Sequence, residues 1–214
     1  MGILVMSDNS IIIRFPPREN FVLVGGPNGV GKTTLWHGLE NPGIEYIDQD
    51  DIKINLEKQF GHEVNKLVAS KYAASQMLTL FKKRVSFAWE TTLDAKKPLS
   101  ILSNPKAYNY NVSMIYVAPL SVDDCIKNVR KRVENNGHDV PEDTIRIRYE
   151  KSIGNFCKIY KYVNNWYLYL SDDNDDKAHK LVAWSAASNI KLVNPELVQR
   201  LPQQLRDIFA GICH

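Results

Sequence analysis

FVLVGGPNGVGKTT, Phe21 to Thr34, sets the architecture around which the other segments fall into place. Phe21 to Val24 form an unbroken apolar run of strand length, the pattern of a strand buried on both faces. GPNGVGKT, Gly26 to Thr33, then matches the phosphate-binding pattern G-x-x-x-x-G-K-[ST] at every fixed position. TLWHGL follows with apolar residues at helical spacing, so the order is strand, glycine loop, helix. Gly26, Gly29 and Gly31 allow the backbone to turn its N–H groups inward around an anion, with no Cβ in the way. The helix that follows adds its unpaired N–H groups and the positive end of its dipole. Lys32 is placed to reach the outer phosphates, and the Thr33 hydroxyl to take a place on Mg²⁺. The bland alternative is a glycine-rich turn after a strand, and a full match in this context outweighs it. The expected nucleotide-binding set is Gly26, Pro27, Asn28, Gly29, Val30, Gly31, Lys32, Thr33 and Thr34, with ATP or GTP and Mg²⁺ as ligands.

On either side of this loop, apolar runs alternate with helical patterns. SIIIRF, Ser10 to Phe15, reads as an extra edge strand before Pro16 and Pro17, and Asn41-Pro42-Gly43 as a break after the first helix. IEYIDQDD reads as a strand ending in Asp48, Asp50 and Asp51. Residues 62 to 84 carry a helical pattern through Val64, Leu67, Val68, Tyr72, Met77, Leu78 and Phe81. VSFAWETT and NVSMIYVAP are the third and fourth strands. Ser121 caps a helix that ends at Asn136-Gly137, Pro141 opens another, and WYLYLS is a fifth strand. KLVAWSAASNIKLV reads as two short strands around a polar turn, and residues 195 to 210 as a terminal helix. The acid run Asp172 to Asp176 reads as a solvated turn.

This alternation predicts one α/β domain over 1–214: a three-layer P-loop sandwich with a mostly parallel five-stranded sheet. A helical lid is expected at about 130–150, and a small β extension at about 171–214. Ligands of such sheets bind at the carboxyl ends of the strands, which gathers Lys32, Asp50 and Glu90 around one crevice. The 214 residues suffice for a sizeable core, and 44% hydrophobic with 24% charged residues is ordinary for a globular chain. A net charge of +3 permits anionic substrates without demanding nucleic acid, and no basic stripe is interleaved with aromatics. Three scattered cysteines, Cys125, Cys157 and Cys213, form no C-x-x-C and read as reduced thiols, the first two on apolar helix faces. No apolar run approaches membrane-spanning length, and the first ten residues lack an export signal, so a cytoplasmic protein is expected.

A glycine loop alone does not separate kinases from switches and mechanical ATPases. The fourth strand runs into APLS rather than a guanine-reading N-K-x-D, and no LSGGQ-like signature is present. A strand-end acid of the ATPase kind has one stand-in, Glu90, which keeps an ATPase or nucleotide switch open as an alternative. A small-molecule kinase needs a carboxylate to accept a hydroxyl proton and cations to neutralise the migrating phosphoryl group. Asp50, one strand from the glycine loop, suits the first role, and Asp48 reads as a deeper supporting group on the same strand. Arg130, Arg132, Arg146 and Arg148 flank the loop NGHDVPED and together resemble a lid closing on phosphates.

The ordered set GPNGVGKTT, YIDQDDI, FAWETTL and RKRVENNGHDVPEDTIRIRY, spanning Phe21 to Tyr169, resembles the zeta-toxin-like P-loop kinases, in particular their stand-alone bacterial branch. The resemblance implies ATP-dependent phosphorylation of a nucleotide sugar, UDP-N-acetylglucosamine at its 3′-hydroxyl being the favoured acceptor. A small antitoxin protein blocking the nucleotide site is the implied partner, and another small acceptor is the alternative. It further implies that Lys32 and Thr33 hold phosphate and Mg²⁺, that Asp50 is the base, and that Glu90 and Thr91 hold the sugar. Arg132 matches the first lid arginine. At the position of the second this chain carries His138, so Arg146 or Arg148 takes that role; we assign Arg148 to catalysis and Arg146 to the substrate.

Overall fold

The computed structural model describes residues 3–7, 10–14, 19–39, 44–94, 98–135, 137–171 and 179–210. Pro16 and Pro17, the 41–43 break, Asn136, the acid run 172–176 and Cys213 lie outside the described residues. The glycine-loop strand is β3 (Asn20–Gly25), and every one of its residues is buried. Its side chains part by alternation. Phe21 and Leu23 join one apolar cluster with Phe87, Met114, Tyr116 and Phe156. Val22 and Val24 join a second, with Ile115, Val117, Tyr167 and Tyr169. A strand with two apolar faces needs cover on both sides, and the helices supply it.

After β3 come α1 (Lys32–Gly38), β4 (Glu45–Ile47), α2 (Gln49–Phe60), α3 (Lys66–Lys83), β5 (Phe87–Thr91), α4 (Ser103–Ala107) and β6 (Asn111–Ala118). Then follow α5 (Val122–Glu134), α6 (Glu142–Ile159), β7 (Asn165–Ser171), β8 (His179–Ala186), β9 (Asn189–Leu192) and α7 (Gln203–Arg206). The sheet order is β4-β5-β3-β6-β7-β8-β9. Pairings from β4 through β7 are parallel, while β8 and β9 pair antiparallel. Leu35 and Trp36 of α1 and Cys125, Ile126 and Val129 of α5 cover one face, and α3 and the later turns of α6 cover the other.

Five expectations need correction. The sheet has seven strands rather than five, because β8 folds straight back on β7 and β9 on β8; antiparallel neighbours need only short connections. The strand from Ser10 is not a sheet edge: β2 (Ser10–Arg14) pairs with β1 (Ile3–Ser7) in a separate hairpin. The strand after Ile44 stops at Ile47, and Asp50 lies in the first turn of α2, a helix whose single buried residue, Leu56, gave no apolar stripe to read. In α3 the buried face is Ala69, Ala73, Leu80 and Phe81, while Leu67, Val68, Tyr72 and Leu78 are exposed. The terminal stretch is broken into 3-10 turns at Pro195–Arg200 and Asp207–Phe209 around α7. Leu201 is extended there because a residue before proline is driven out of the helical region. No helix among the described residues is long and apolar enough to cross a membrane. Cys125 is buried and Cys157 half-buried.

Candidate active site

At the end of β3 the chain turns through the glycine loop and enters α1 at Lys32, with Gly31 left-handed at φ 79°. Gly29 has φ 81°, and a Cβ there would lie 2.3 Å from the Cys125 carbonyl oxygen. The loop is therefore wedged against the first turn of α5, a fit that glycine alone allows. Asn128, one turn further along α5, donates its side-chain amide to the Gly29 carbonyl at 3.0 Å. From the opposite side His179, the first residue of β8, contacts the Val30 carbonyl through Nε2 at 3.0 Å. A carbonyl only accepts, so Nε2 carries the proton. Burial holds the His179 pKa below the usual histidine value, with the Val30 bond pulling weakly the other way. The loop is thus braced by two elements distant in sequence.

Lys32 is almost fully buried, and its Nζ donates to the Pro27 carbonyl at 3.0 Å. It lies 3.5 Å from Glu90 Oε1. The other oxygen of Glu90 accepts from the Thr33 hydroxyl at 2.7 Å and from the Tyr46 hydroxyl. Parallel pairing sets Val24 beside Glu90 and Ile47 beside Trp89, which delivers these groups to one end of the sheet. Burial alone would raise the Glu90 pKa. Lys32's charge, with the Tyr46, Thr33 and Lys32 hydrogen bonds, outweighs it and holds the carboxyl below its ordinary value. Glu90 therefore engages the phosphate-loop side of the crevice.

Asp48 caps α2, its Oδ1 accepting from the Asp50 N–H at 2.9 Å. Burial first, and then the charge of Glu90, push its pKa up to about 7; Asp50 and Asp51 add to the rise, and the cap bond opposes it. Asp50 itself is half-buried in the helix's first turn, and neither it nor Asp48 lies on β4, which ends at Ile47. Negative charge is favoured there by the helix dipole. Thr91 accepts from the Leu93 N–H at 3.1 Å and so shapes the turn after β5. Thr34 is exposed on α1.

Of the four flanking arginines, Arg148 alone reaches the glycine loop in the described contacts. Its Nη1 donates to Asn28 Oδ1 at 3.1 Å and its Nε to Asp94 Oδ2 at 3.0 Å. Arg132 is exposed and donates to the His138 carbonyl from Nε at 3.1 Å and Nη2 at 2.6 Å, which ties down the 137–140 loop. Arg130 pairs with Glu142, and Arg146 with Asp123 at 3.4 Å, both at the surface. Sequence reading did not find Tyr46, Asp94, Asn128 or His179. Each is a single polar residue in an ordinary strand, turn or helix, and only folding brings it to the loop.

The glycine cradle, buried lysine and N-terminal end of α1 fit a nucleoside triphosphate's phosphates. Among the described residues no three His, Cys, Asp or Glu side chains form a metal cage. The donors present, the Thr33 hydroxyl and the carboxylates beside it, are hard oxygens. They fit Mg²⁺, which is commonly held by one or two protein oxygens plus substrate phosphates.

No family model matches the chain. An uncharacterised protein of Haemophilus influenzae is 27% identical over 128 residues, covering 58% of this chain and 88% of that one. Among solved structures, a chain of the AvrRxo1-ORF1:ORF2 complex with ATP matches 87% of this chain at 15% identity and a TM-score of 0.69. This chain spans 64% of that one's length. A chain of the PezAT toxin–antitoxin system of Streptococcus pneumoniae matches 91% of this chain and 84% of its own length, at 19% identity and a TM-score of 0.58. With its phosphate loop at the end of the parallel strands and α5 and α6 packed beside that loop, the chain shares the fold of these matched chains of the AvrRxo1 and PezAT structures.

Proposed function

We propose that the protein is an ATP-dependent kinase that transfers the γ-phosphoryl group to a hydroxyl of a small molecule, with UDP-N-acetylglucosamine as the favoured acceptor. The observation that carries this reading is the joining of the phosphate loop to the strand-end acid Glu90, which is bonded to Thr33 and 3.5 Å from Lys32. The glycine-loop N–H groups and Lys32 hold the triphosphate. Lys32 exchanges its Glu90 and Pro27 contacts for phosphate oxygens as nucleotide enters. Mg²⁺, when bound at Thr33, offsets charge on the phosphates. Arg148 adds a second cation over the same loop, and Arg132 and Arg146 are the further lid contacts toward substrate. Asp50, in the first turn of α2, takes the proton of the attacking hydroxyl, and Glu90, reaching from the phosphate-loop side, and Thr91 contact the acceptor.

The fold likeness to the ATP-bound AvrRxo1 complex supports ATP as donor, and the PezAT likeness supports a small inhibitory protein partner. The decisive experiment incubates the purified protein with ATP, Mg²⁺ and either UDP-N-acetylglucosamine or a metabolite extract, followed by mass spectrometry. A phosphorylated sugar nucleotide is expected. Asp50→Ala is expected to abolish transfer while leaving ATP binding within about twofold, since the loop's own donors are untouched. ADP formation with no phosphorylated product would convert the reading to an ATPase or switch, and an unchanged rate in Asp50→Ala would remove Asp50 as base.

A further inference from the structure

Asp94 closes a tight turn after β5, and that turn is held in an uncommon backbone conformation. Leu93 is fully buried and stands at φ 57°, a conformation that L residues with branched side chains avoid. Two bonds hold it there: its N–H donates to Thr91 Oγ1, and its carbonyl accepts from the Asn155 side-chain amide of α6 at 2.9 Å. Backbone strain of this kind persists only where surrounding contacts over-determine it. The turn's outcome is the direction of the Asp94 carboxylate. Oδ1 accepts from the Thr92 hydroxyl at 2.9 Å, leaving Oδ2 to face the Arg148 guanidinium at 3.0 Å. The same guanidinium touches Asn28 in the glycine loop.

Arg148 and Asp94 are about one-third exposed, whereas Arg130 and Arg146 are at least half exposed. α6 is thus fixed to the β5 turn at two points, Arg148–Asp94 and Asn155–Leu93, about two helical turns apart. We propose that Asp94 is a positioning residue, which holds Arg148 over the glycine loop and so presents a pre-oriented guanidinium to the nucleotide's phosphates. Without a carboxylate partner, the Arg148 guanidinium would keep only its Asn28 contact and would sample other rotamers. With one, Nε–H is anchored on Asp94 and an Nη1–H on Asn28, and the remaining N–H groups stay available to an anion. This inference rests on the kinase reading, because it takes the anion to be the nucleotide's phosphate.

The test is a double-mutant cycle in the full chain, read by binding of a fluorescent ATP analogue and by Mg²⁺-dependent ADP formation, with thermal unfolding followed for every variant. Asp94→Ala and Arg148→Ala are each expected to lower kcat/KM for ATP roughly tenfold to a hundredfold, the scale of a misplaced catalytic group. The double variant is expected to lose no more than Arg148→Ala alone. Asp94→Glu is expected to restore part of the loss, whereas the isosteric Asp94→Asn, which keeps the turn but not the charge, is not. Additive losses, or full activity in Asp94→Asn, would overturn the proposal. If wild type binds the analogue and Arg148→Ala binds and turns over equally well, this inference alone falls. If wild type binds no nucleotide, the kinase reading falls and takes this one with it.

Discussion

Asp48 and Glu90 are neighbouring carboxylates with opposite fates. Glu90 has Lys32, Thr33 and Tyr46 around it and keeps its charge below the ordinary carboxylate range. Asp48 has burial and Glu90's charge against it and rises to about 7. A carboxyl whose folded pKa is raised stabilises fully below the unfolded value near 3.8, and that contribution is lost as pH rises through about 7. Asp48→Asn keeps an N-cap acceptor for the Asp50 N–H and removes the titration. In urea unfolding, the variant is expected to gain on wild type between pH 4.5 and pH 8, by at most about 3 kcal/mol. Parallel curves for the two proteins across that range would show that Asp48 carries its charge without cost.

Among the elements, turns and caps decide where side chains arrive. Asp50 is on α2 because Asp48 captures the Asp50 N–H in the helix's first turn, and the strand expected through this region ends three residues earlier, at Ile47. The IDQDD stretch is compatible with a strand end or a helix start, and no apolar stripe follows to arbitrate. The β8–β9 hairpin offers a cleaner case. Its two turn residues, Ala187 and Ser188, have φ 48° and 68°, the geometry of a type I′ turn, without the asparagine–glycine pair that suits it. Combining Ala187→Asn with Ser188→Gly is expected to raise stability by about 1 kcal/mol, seen as a higher unfolding midpoint with an unchanged denaturant slope. A lower midpoint would mean that the hairpin is held by contacts the present side chains make.

The molecule as a whole ties its far edge back to the glycine loop. β8 is an added antiparallel strand, yet its first residue, His179, bonds the Val30 carbonyl. Its pKa is held down by burial, so the unfolded chain takes up the proton first as pH falls. The neutral histidine's contribution is complete above about pH 6.5 and is lost progressively below it. His179→Gln keeps a donor and removes the titration. The fall in unfolding temperature between pH 7.5 and 5.5 is therefore expected to be smaller in the variant than in wild type. An equal fall in both proteins would mean that His179 takes its proton as readily folded as unfolded.

The order of residues was enough to specify the central strand, the glycine loop, the capped start of α5, the proline start of α6 and the alternation that makes a parallel sheet. These signals are local: an apolar period, a cap or a glycine pattern acts within one element. The same order brought Lys32 and Glu90 to one sheet end, since Lys32 follows β3 and Glu90 lies near the end of its parallel neighbour β5. Packing in three dimensions was needed to establish that β8 and β9 extend the sheet, that Asp50 rides a helix, and that Arg148 rather than Arg130, Arg132 or Arg146 meets the loop. All four arginines look alike along the chain, and which one reaches Asn28 depends on how α6 packs on the β5 turn. Asp94, Asn128 and His179 are silent for the same reason: each gains its role from a partner 54, 99 and 149 residues away, respectively.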